Sequence, residues 1–386
     1  MAILVILMSV IFQVIQMSSQ AWKSSTQGTS TMQQARAAFE RMTRNLSQAT
    51  LNTYYGYYYA SGATMPSYYM RQSELQFICG NGPVNGSTAF LTAANNNAVQ
   101  VTHGVFFQAP LGDINSTSAT DVSSYGALDR LLNACGYFVI YGPDTFRPPF
   151  FSSLSNAPQN ENRFRLMEYL QPSEDLSIYT SGAIPSAGVT IPLWISNGLP
   201  TDFTAAPPAS PSPVNVRPLA SNIVALIILP EQFFNSSGTN PNPVANESNV
   251  SYIPCQSANS YNYDSAYHAT PTGTPPTQNA WANQLPPLVK VIMVAIDEPS
   301  ALRLAAAHTG ASSTSPPDLG DLTTSTAALF QDPSKLFTSS SVPEGDLEKF
   351  EDVLNAKAGN VAGNTLKLNY SVFQTDVIIR SSKWSQ

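Results

Sequence analysis

Charged side chains are scarce in this sequence of 386 residues. Asp, Glu, Lys and Arg together make up 11%, against about 25% in an ordinary soluble domain. The formal net charge is −7, and the 18 Lys and Arg residues form no basic stripe. Because nucleic-acid binding depends on rows of basic side chains that neutralise phosphates, the composition excludes that class of function.

Histidine and catalytic motifs are equally sparse. The three histidines, His103, His268 and His308, lie far apart and do not have the spacing of metal ligands. We predict that each is a loop or surface residue. The sequence contains no G-x-S-x-G, P-loop, G-x-G-x-x-G or H-E-x-x-H motif. We therefore predict a protein that is not an enzyme and that uses no cofactor, metal ion or small-molecule substrate.

There are three cysteines, Cys79, Cys135 and Cys255. They allow one disulfide with one thiol left over, in any of three pairings. Buried, unpaired thiols are the alternative interpretation.

What the sequence does contain is an apolar N-terminus. The first seventeen residues, MAILVILMSVIFQVIQM, carry no charge. As a helix they would span about 25 Å, slightly less than the roughly 30 Å of a bilayer core. No basic residues precede the run and no A-x-A-like cleavage site follows it, so the pattern predicts a retained transmembrane or assembly helix over residues 1–22.

A polar stripe interrupts this apolar helix. Ser9, Gln13, Gln16 and Gln20 are spaced by four, three and four residues, which places them on one helical face. Such a stripe is unfavourable against lipid but can pack and hydrogen-bond between helices. We predict helix–helix assembly through these residues. The alternative is a lone anchor whose polar residues lie at the membrane interface.

Residues 23–52 form a neck and an amphipathic stalk. The neck KSSTQGTST contains weak helix formers and Gly28, and it predicts bending or local melting. The stalk repeats apolar residues every three or four positions, which predicts packing of one helical face on a sheet. The residues of this face are Met32, Ala35, Phe39, Met42 and Leu46. Arg36, Glu40, Arg41 and Arg44 lie on the other faces, which are predicted to face solvent.

Residues 53–386 are predicted to form one β-rich domain. The predicted strands are 73–79, 137–141, 164–169, 222–229, 288–296, 365–372 and 376–380, with short helices at 300–307 and 345–356. Low-complexity segments rich in Pro, Ser, Thr and Asn lie between them, at 204–218, 236–249, 269–280 and 309–321. The predicted fold class is α+β: a long N-terminal helix, with a membrane half and an amphipathic half, packed on an antiparallel sheet that carries long loop insertions.

A tyrosine cluster directly follows the stalk. It comprises Tyr54, Tyr55, Tyr57, Tyr58 and Tyr59, with Tyr68 and Tyr69 shortly after. Tyrosine offers a large amphipathic surface to a partner or a glycan. The cluster is therefore predicted either to bind a partner or to pack where the stalk meets the sheet.

The apolar helix, the neck, the stalk QQARAAFERMTRNLSQATL and the following SELQFI resemble type IV pilin-like proteins. Minor pseudopilins of the J type from type II secretion systems are the nearest in layout. Three segments resemble sequences from a verrucomicrobial group of large prepilin-type proteins, Verru_Chthon cassette protein C. These segments are RQSELQF, RFRLMEY and YSVFQTDVIIRSSKW. The sequence lacks the family's N-terminal signature: a basic leader, a Gly cleavage site and a Glu at the fifth mature position. We expect codons upstream of Met1 to encode this signature.

The resemblance implies a structural subunit of a type IV pilus-like or pseudopilus assembly. Its expected partners are sister pilin-like subunits, the secretion or pilus machinery and the membrane. Its expected location is the bacterial inner membrane, as a single-pass protein, with the globular domain in the periplasm or on an extracellular filament. The alternative is a membrane-anchored periplasmic or surface module that binds a polysaccharide or a protein.

Overall fold

The computed structural model describes residues 2–59, 62–82, 90–91, 98–115, 119–143, 162–180, 191–200, 215–233, 250–252, 260–266, 281–308, 316–317, 319, 329–339, 341–357 and 366–383. Most of the predicted loop insertions lie outside these residues, as does Cys255. Within them the chain combines helices with antiparallel sheets, which is an α+β fold.

The helices and strands of the described part follow one another closely along the chain. The helices are α1 (Ala2–Leu46), α2 (Ala119–Tyr125), α3 (Leu193–Ser196), α4 (Glu298–Ala307) and α5 (Asp346–Leu354). The strands are β1 (Tyr54–Tyr58), β2 (Tyr68–Gln72), β3 (Ile78–Gly80), β4 (Val99–Pro110), β5 (Leu132–Pro143), β6 (Asn162–Gln171), β7 (Val216–Ser221), β8 (Ile223–Phe233), β9 (Val250–Tyr252), β10 (Tyr263–Asp264), β11 (Leu288–Ile296) and β12 (Tyr370–Ile378).

Helix α1 is 45 residues long, about 68 Å at 1.5 Å per residue. It remains helical through Gly28 and the Ser/Thr-rich neck. Helix α1 contacts α4, and a Cβ atom at position 28 would lie 4.0 Å from Cβ of Asp297, the residue before α4. Tertiary packing of this kind overrides a weak local propensity.

Two antiparallel sheets enclose the core. The first has six strands in the order β10-β3-β4-β5-β6-β7, and the second has four in the order β12-β11-β8-β9. Strand β8 packs across β3, β4, β5 and β6 of the first sheet. All nine residues of β11 are buried, so this strand lies at the centre of the apolar core.

The second half of α1 lies on this framework and contacts β4, β7, β11 and β12. Its apolar face joins the same continuous core that extends to Ile379 near the C-terminus. The stalk and the two sheets therefore share one core.

Most predicted strands are present, but β1, β2, β4, β7, β9 and β10 were not predicted, and the bounds of β3 and β12 differ from the prediction. One of the two longest pairings among the described strands, β4 with β5, uses a strand at 99–110 that was not predicted. The predicted strand 73–79 is reduced to Ile78–Gly80, and the predicted strands 365–372 and 376–380 form a single strand, β12. Strand β4 was missed because its segment VQVTHGVFFQAP includes His103 and Gly104, which weaken a strand pattern, and because a bulge at Thr102 shifts its register.

Among the described residues, no helix is long and apolar enough to cross a membrane. The predicted single-pass location in the inner membrane, with a membrane half in α1, is therefore wrong for this part of the chain. The apolar N-terminal run is interrupted by polar residues at the positions noted above, and these lower its mean hydropathy.

Cys79 and Cys135 are buried and both are free thiols, so the predicted disulfide is absent at these two positions. They lie on different strands, each opposite a residue of β4. Burial raises the pKa of the Cys135 thiol to about 12 and raises that of Cys79 as well. Both side chains therefore behave as small apolar core residues.

Candidate functional site

The N-terminal half of α1 presents apolar side chains to solvent. The exposed fractions are 70% for Met8, 49% for Ile11, 61% for Phe12, 59% for Val14, 59% for Ile15 and 71% for Met17. At 3.6 residues per turn these side chains cover an arc of roughly 220° of the helix surface. An ordinary surface helix has an apolar stripe of about 100° facing one core, so this half of α1 has a much wider apolar surface.

The predicted polar stripe occupies the remaining arc. Gln13 and Gln16 are exposed, and both lie between Phe12 and Met17 on the side of the helix opposite Ile11. The side chains of Ser9 and Gln20 lie outside the described residues. Assembly through this stripe stays a prediction.

The C-terminal half of α1 is docked. Ala35, Phe39, Met42 and Leu46 are buried, and Met32 is partly buried against the same core. The Phe39 ring lies 5.8 Å from the ring of Phe373 on β12. The two halves of one helix thus differ sharply in exposure.

A row of polar residues across the first sheet lies beneath the docked half. Glu168 on β6 is directly opposite Tyr137 on β5 and directly opposite Arg217 on β7. The Glu168 side chain is completely buried. The Tyr137 hydroxyl donates to its Oε1 at 3.0 Å, and Arg217 Nε donates to its Oε2 at 2.7 Å.

Helix α1 adds two further donors to this row. Arg41 Nε donates to Glu168 Oε1 at 2.7 Å, and Arg41 Nη2 donates to Oε2 at 3.1 Å. One helical turn later, Asn45 Nδ2 donates to the Tyr137 hydroxyl at 2.8 Å. We call Arg41, Asn45, Tyr137, Glu168 and Arg217 the docking cluster. It fixes the position of α1 along its axis, because both donors must align with groups that the strand register has already placed.

In the docking cluster, the two arginines Arg41 and Arg217 compensate the buried carboxylate of Glu168. Burial acts to lower the pKa of Arg41, but its hydrogen bonds with Glu168 and the charge of that carboxylate outweigh burial and raise the pKa. Burial also raises the pKa of Tyr137 well above its usual value, so Tyr137 remains a neutral donor. The cluster is suited to holding a helix rather than to proton transfer.

The tyrosine cluster forms a separate two-stranded ribbon, β1 with β2. One face carries Tyr55, Tyr57 and Tyr69, with exposed fractions of 73%, 56% and 72%. The rings of Tyr57 and Tyr69, which are directly opposite each other, lie 5.1 Å apart. On the other face Tyr58 and Tyr68 are paired, with ring centroids 6.4 Å apart, while Tyr54 and Tyr59 are both about half exposed.

The ribbon is held to the body of the protein through Asn283. Asn283 Nδ2 donates to the Arg71 carbonyl at 2.7 Å, and Thr53 Oγ1 donates to the Asn283 carbonyl at 2.7 Å. Asn283 has a φ of 54°, a conformation that asparagine tolerates better than most residues. The ribbon therefore presents its tyrosines from a fixed base.

No family model, curated protein or solved structure matches this chain.

Sequence reasoning missed the docking cluster. Arg41 was placed on a solvent face of the stalk, and Glu168 was not considered. A signal did exist, because Glu168 is the acidic residue of the apolar strand RFRLMEYL. A carboxylate at such a position is rarely buried unless it is paired.

His103 is also placed differently from the prediction of a loop or surface residue. It is completely buried on β4 and connects the two sheets. Its Nε2 donates to the Phe330 carbonyl at 3.0 Å, and its Nδ1 accepts from the Ile228 amide at 3.0 Å. Burial lowers the pKa of His103 to about 4.

We expect this buried histidine to make the protein sensitive to acid. As the pH falls below about 6.5, His103 binds a proton in the unfolded chain but stays neutral in the folded protein. The contribution of neutral His103 to the free energy of unfolding is therefore complete above about pH 6.5 and is lost towards pH 4. The loss should be about 3 kcal/mol between pH 6.5 and 4. Urea unfolding at a series of pH values measures it.

The matched control is His103→Gln, because the amide can accept from Ile228 and donate to Phe330 without titrating. This variant should show a smaller loss of unfolding free energy over the same pH range, after carboxylate titration common to both proteins is subtracted. Identical pH profiles for the two proteins would show that His103 is not the group responsible.

Proposed function

We propose that this protein is a structural subunit of a type IV pilus-like or pseudopilus assembly, in which the N-terminal half of α1 packs against the same half of sister subunits. The observation that carries the proposal is the exposure of six large apolar side chains between Met8 and Met17. Burying each would contribute about 1.5–3 kcal/mol. Exposed patches of this kind mark interaction sites.

The width of the apolar arc supports several neighbours rather than one. A single partner helix covers a stripe of about 100°, whereas this surface spans roughly 220° at 3.6 residues per turn. A bundle of parallel helices from sister subunits would cover it from two sides. Gln13 and Gln16 would then hydrogen-bond between helices.

The docking cluster gives the assembly its rigid base. Because Arg41 and Asn45 fix the helix on the sheet, the N-terminal half leaves the domain in a defined direction. Identical subunits would therefore present their helices identically, as a symmetric filament requires.

Site-specific photocross-linking tests this proposal. A photoreactive phenylalanine analogue at Phe12 should give covalent dimers and higher multimers of the full-length chain upon irradiation. The control position is Gln34, which is exposed on the docked half and should give few or none. Equal yields of multimers at the two positions would contradict assembly through the N-terminal half.

A second candidate function is favoured by the exposed tyrosine face of the ribbon. Tyr55, Tyr57 and Tyr69 offer rigid aromatic surfaces of the kind that binds a polysaccharide or a protein. If the Phe12 position gives no multimers, this binding function becomes the better proposal. A loss of ligand binding in a Tyr55→Ala, Tyr69→Ala double variant would then support it.

A further inference from the structure

A lysine lies beside two carboxylates on one face of the second sheet. Lys290, at the centre of the fold on β11, is 1% exposed. Its Nζ is 3.7 Å from Oε1 of Glu231 and 3.7 Å from Oδ1 of Asp376. The Glu231 side chain is also 1% exposed, whereas Asp376 is 41% exposed.

The strand register brings these three residues together. Lys290 is directly opposite Asp376 on β12. Glu231 on β8 is opposite Leu288, two residues before Lys290, and side chains two residues apart point to the same face. The Phe337 ring covers the ammonium group, 5.4 Å from ring centroid to Nζ. Lys290 and Glu231 are thus enclosed, and the partly exposed carboxyl group of Asp376 lies beside the lysine.

We propose that Lys290 and Asp376 form an intramolecular isopeptide bond, with Glu231 as the proton carrier. Within the ion pair, one proton first passes from the Lys290 ammonium group to the Asp376 carboxylate, which leaves an amine and a carboxylic acid. Nζ then attacks Cγ of Asp376 and forms the new C–N bond. Glu231 accepts the proton released from the amine and transfers it to the departing hydroxyl group. The Cγ–O bond breaks, one water molecule leaves, and Glu231 ends in the state in which it began.

The fixed geometry favours this condensation. Groups held at about 3–3.5 Å in a reactive orientation gain effective concentrations on the order of 10⁵–10⁸ M. The structure holds Nζ 3.7 Å from Oδ1 of the Asp376 carboxyl group. The partial exposure of Asp376 gives the released water a route to solvent. The bond would covalently join β12 to β11, both of which contact α1.

The chain contains a useful comparison pair on its surface. Lys335 Nζ is 3.4 Å from Oδ2 of Asp332, but the lysine side chain is 56% exposed. Water competes for both groups there. The lysine–aspartate distances are therefore similar in the two pairs, 3.7 and 3.4 Å, whereas Lys290 is buried and Lys335 is exposed.

Mass spectrometry of the purified full-length chain tests the proposal. Tryptic digestion should yield a branched peptide that joins the segments containing Lys290 and Asp376, with a mass lower than their sum by one water molecule. Glu231→Gln should abolish or strongly reduce the branched peptide. Asp376→Asn should give the same cross-linked product by loss of ammonia instead of water, and Lys335→Arg should leave the yield unchanged.

The wild-type protein itself decides the outcome, so folding of the variants is not required. If folded wild-type protein yields only the two linear peptides, the cluster is an ion pair and the proposal fails. If Glu231→Gln forms the branched peptide as fully as wild type, the assigned role of Glu231 fails. Neither result depends on whether the chain assembles through α1.

Discussion

Phe39→Ala is expected to reduce the free energy of unfolding by about 3–5 kcal/mol, because truncation of a large buried ring loses transfer free energy and leaves a cavity. Phe39 is 8% exposed and packs on the ring of Phe373. Denaturant unfolding of the full-length chain, monitored by circular dichroism, measures the change. The loss should lower the denaturant concentration at the midpoint of unfolding.

Arg44→Ala on the same helix is the control for this truncation. Arg44 is exposed, and an exposed charged side chain contributes only about 0–1 kcal/mol. Small and similar losses for the two variants would mean that the stalk does not pack on the sheets. The basis for the proposed filament subunit would then be removed.

The docking cluster gives the second large effect. Arg41→Met or Arg217→Met alone should cost about 1–3 kcal/mol, because each removes charge-assisted hydrogen bonds but leaves the other arginine on Glu168. The double variant leaves a completely buried carboxylate without either arginine. We expect it to cost about 3–5 kcal/mol, the usual cost of stranding a buried charge.

A triple variant identifies the cause. Addition of Glu168→Gln to the double variant removes the stranded charge while keeping an acceptor for the Tyr137 hydroxyl. It should recover much of the lost free energy of unfolding, again measured by denaturant midpoints. No recovery would show that the arginines stabilise the protein through packing of their side chains rather than through charge.

The sequence was informative about helix α1 because helical periodicity is a local property. The spacing of Met32, Ala35, Phe39, Met42 and Leu46 needs only the 3.6-residue repeat, and the structure buries all of these except the partly buried Met32. Strands β5, β6, β8 and β11 were also predictable, since each is a run rich in β-branched and aromatic residues. The α+β class follows from these two signals together.

The membrane location was inferred from the absence of charge, which is weaker evidence than mean hydropathy over a full span. Residues 1–17 are uncharged, yet three polar side chains interrupt them. The same residues that predict helix–helix contacts therefore argue against the predicted span. A membrane span and helix–helix assembly thus make opposite demands on residues 1–17. Among the described residues, no helix is long and apolar enough to cross a membrane.

By itself, the sequence determined the helical stripe, the main strands and the scarcity of catalytic groups, because these depend on residue types and on spacings of a few positions. Tertiary structure alone decided which polar residues meet. Arg41 and Glu168 are 127 positions apart, and Lys290 reaches Asp376 only through the pairing of β11 with β12. A one-residue slip of β6 or β12 would turn Glu168 or Asp376 to the opposite face of its sheet. Their partners are therefore set by long-range pairing that no local pattern encodes.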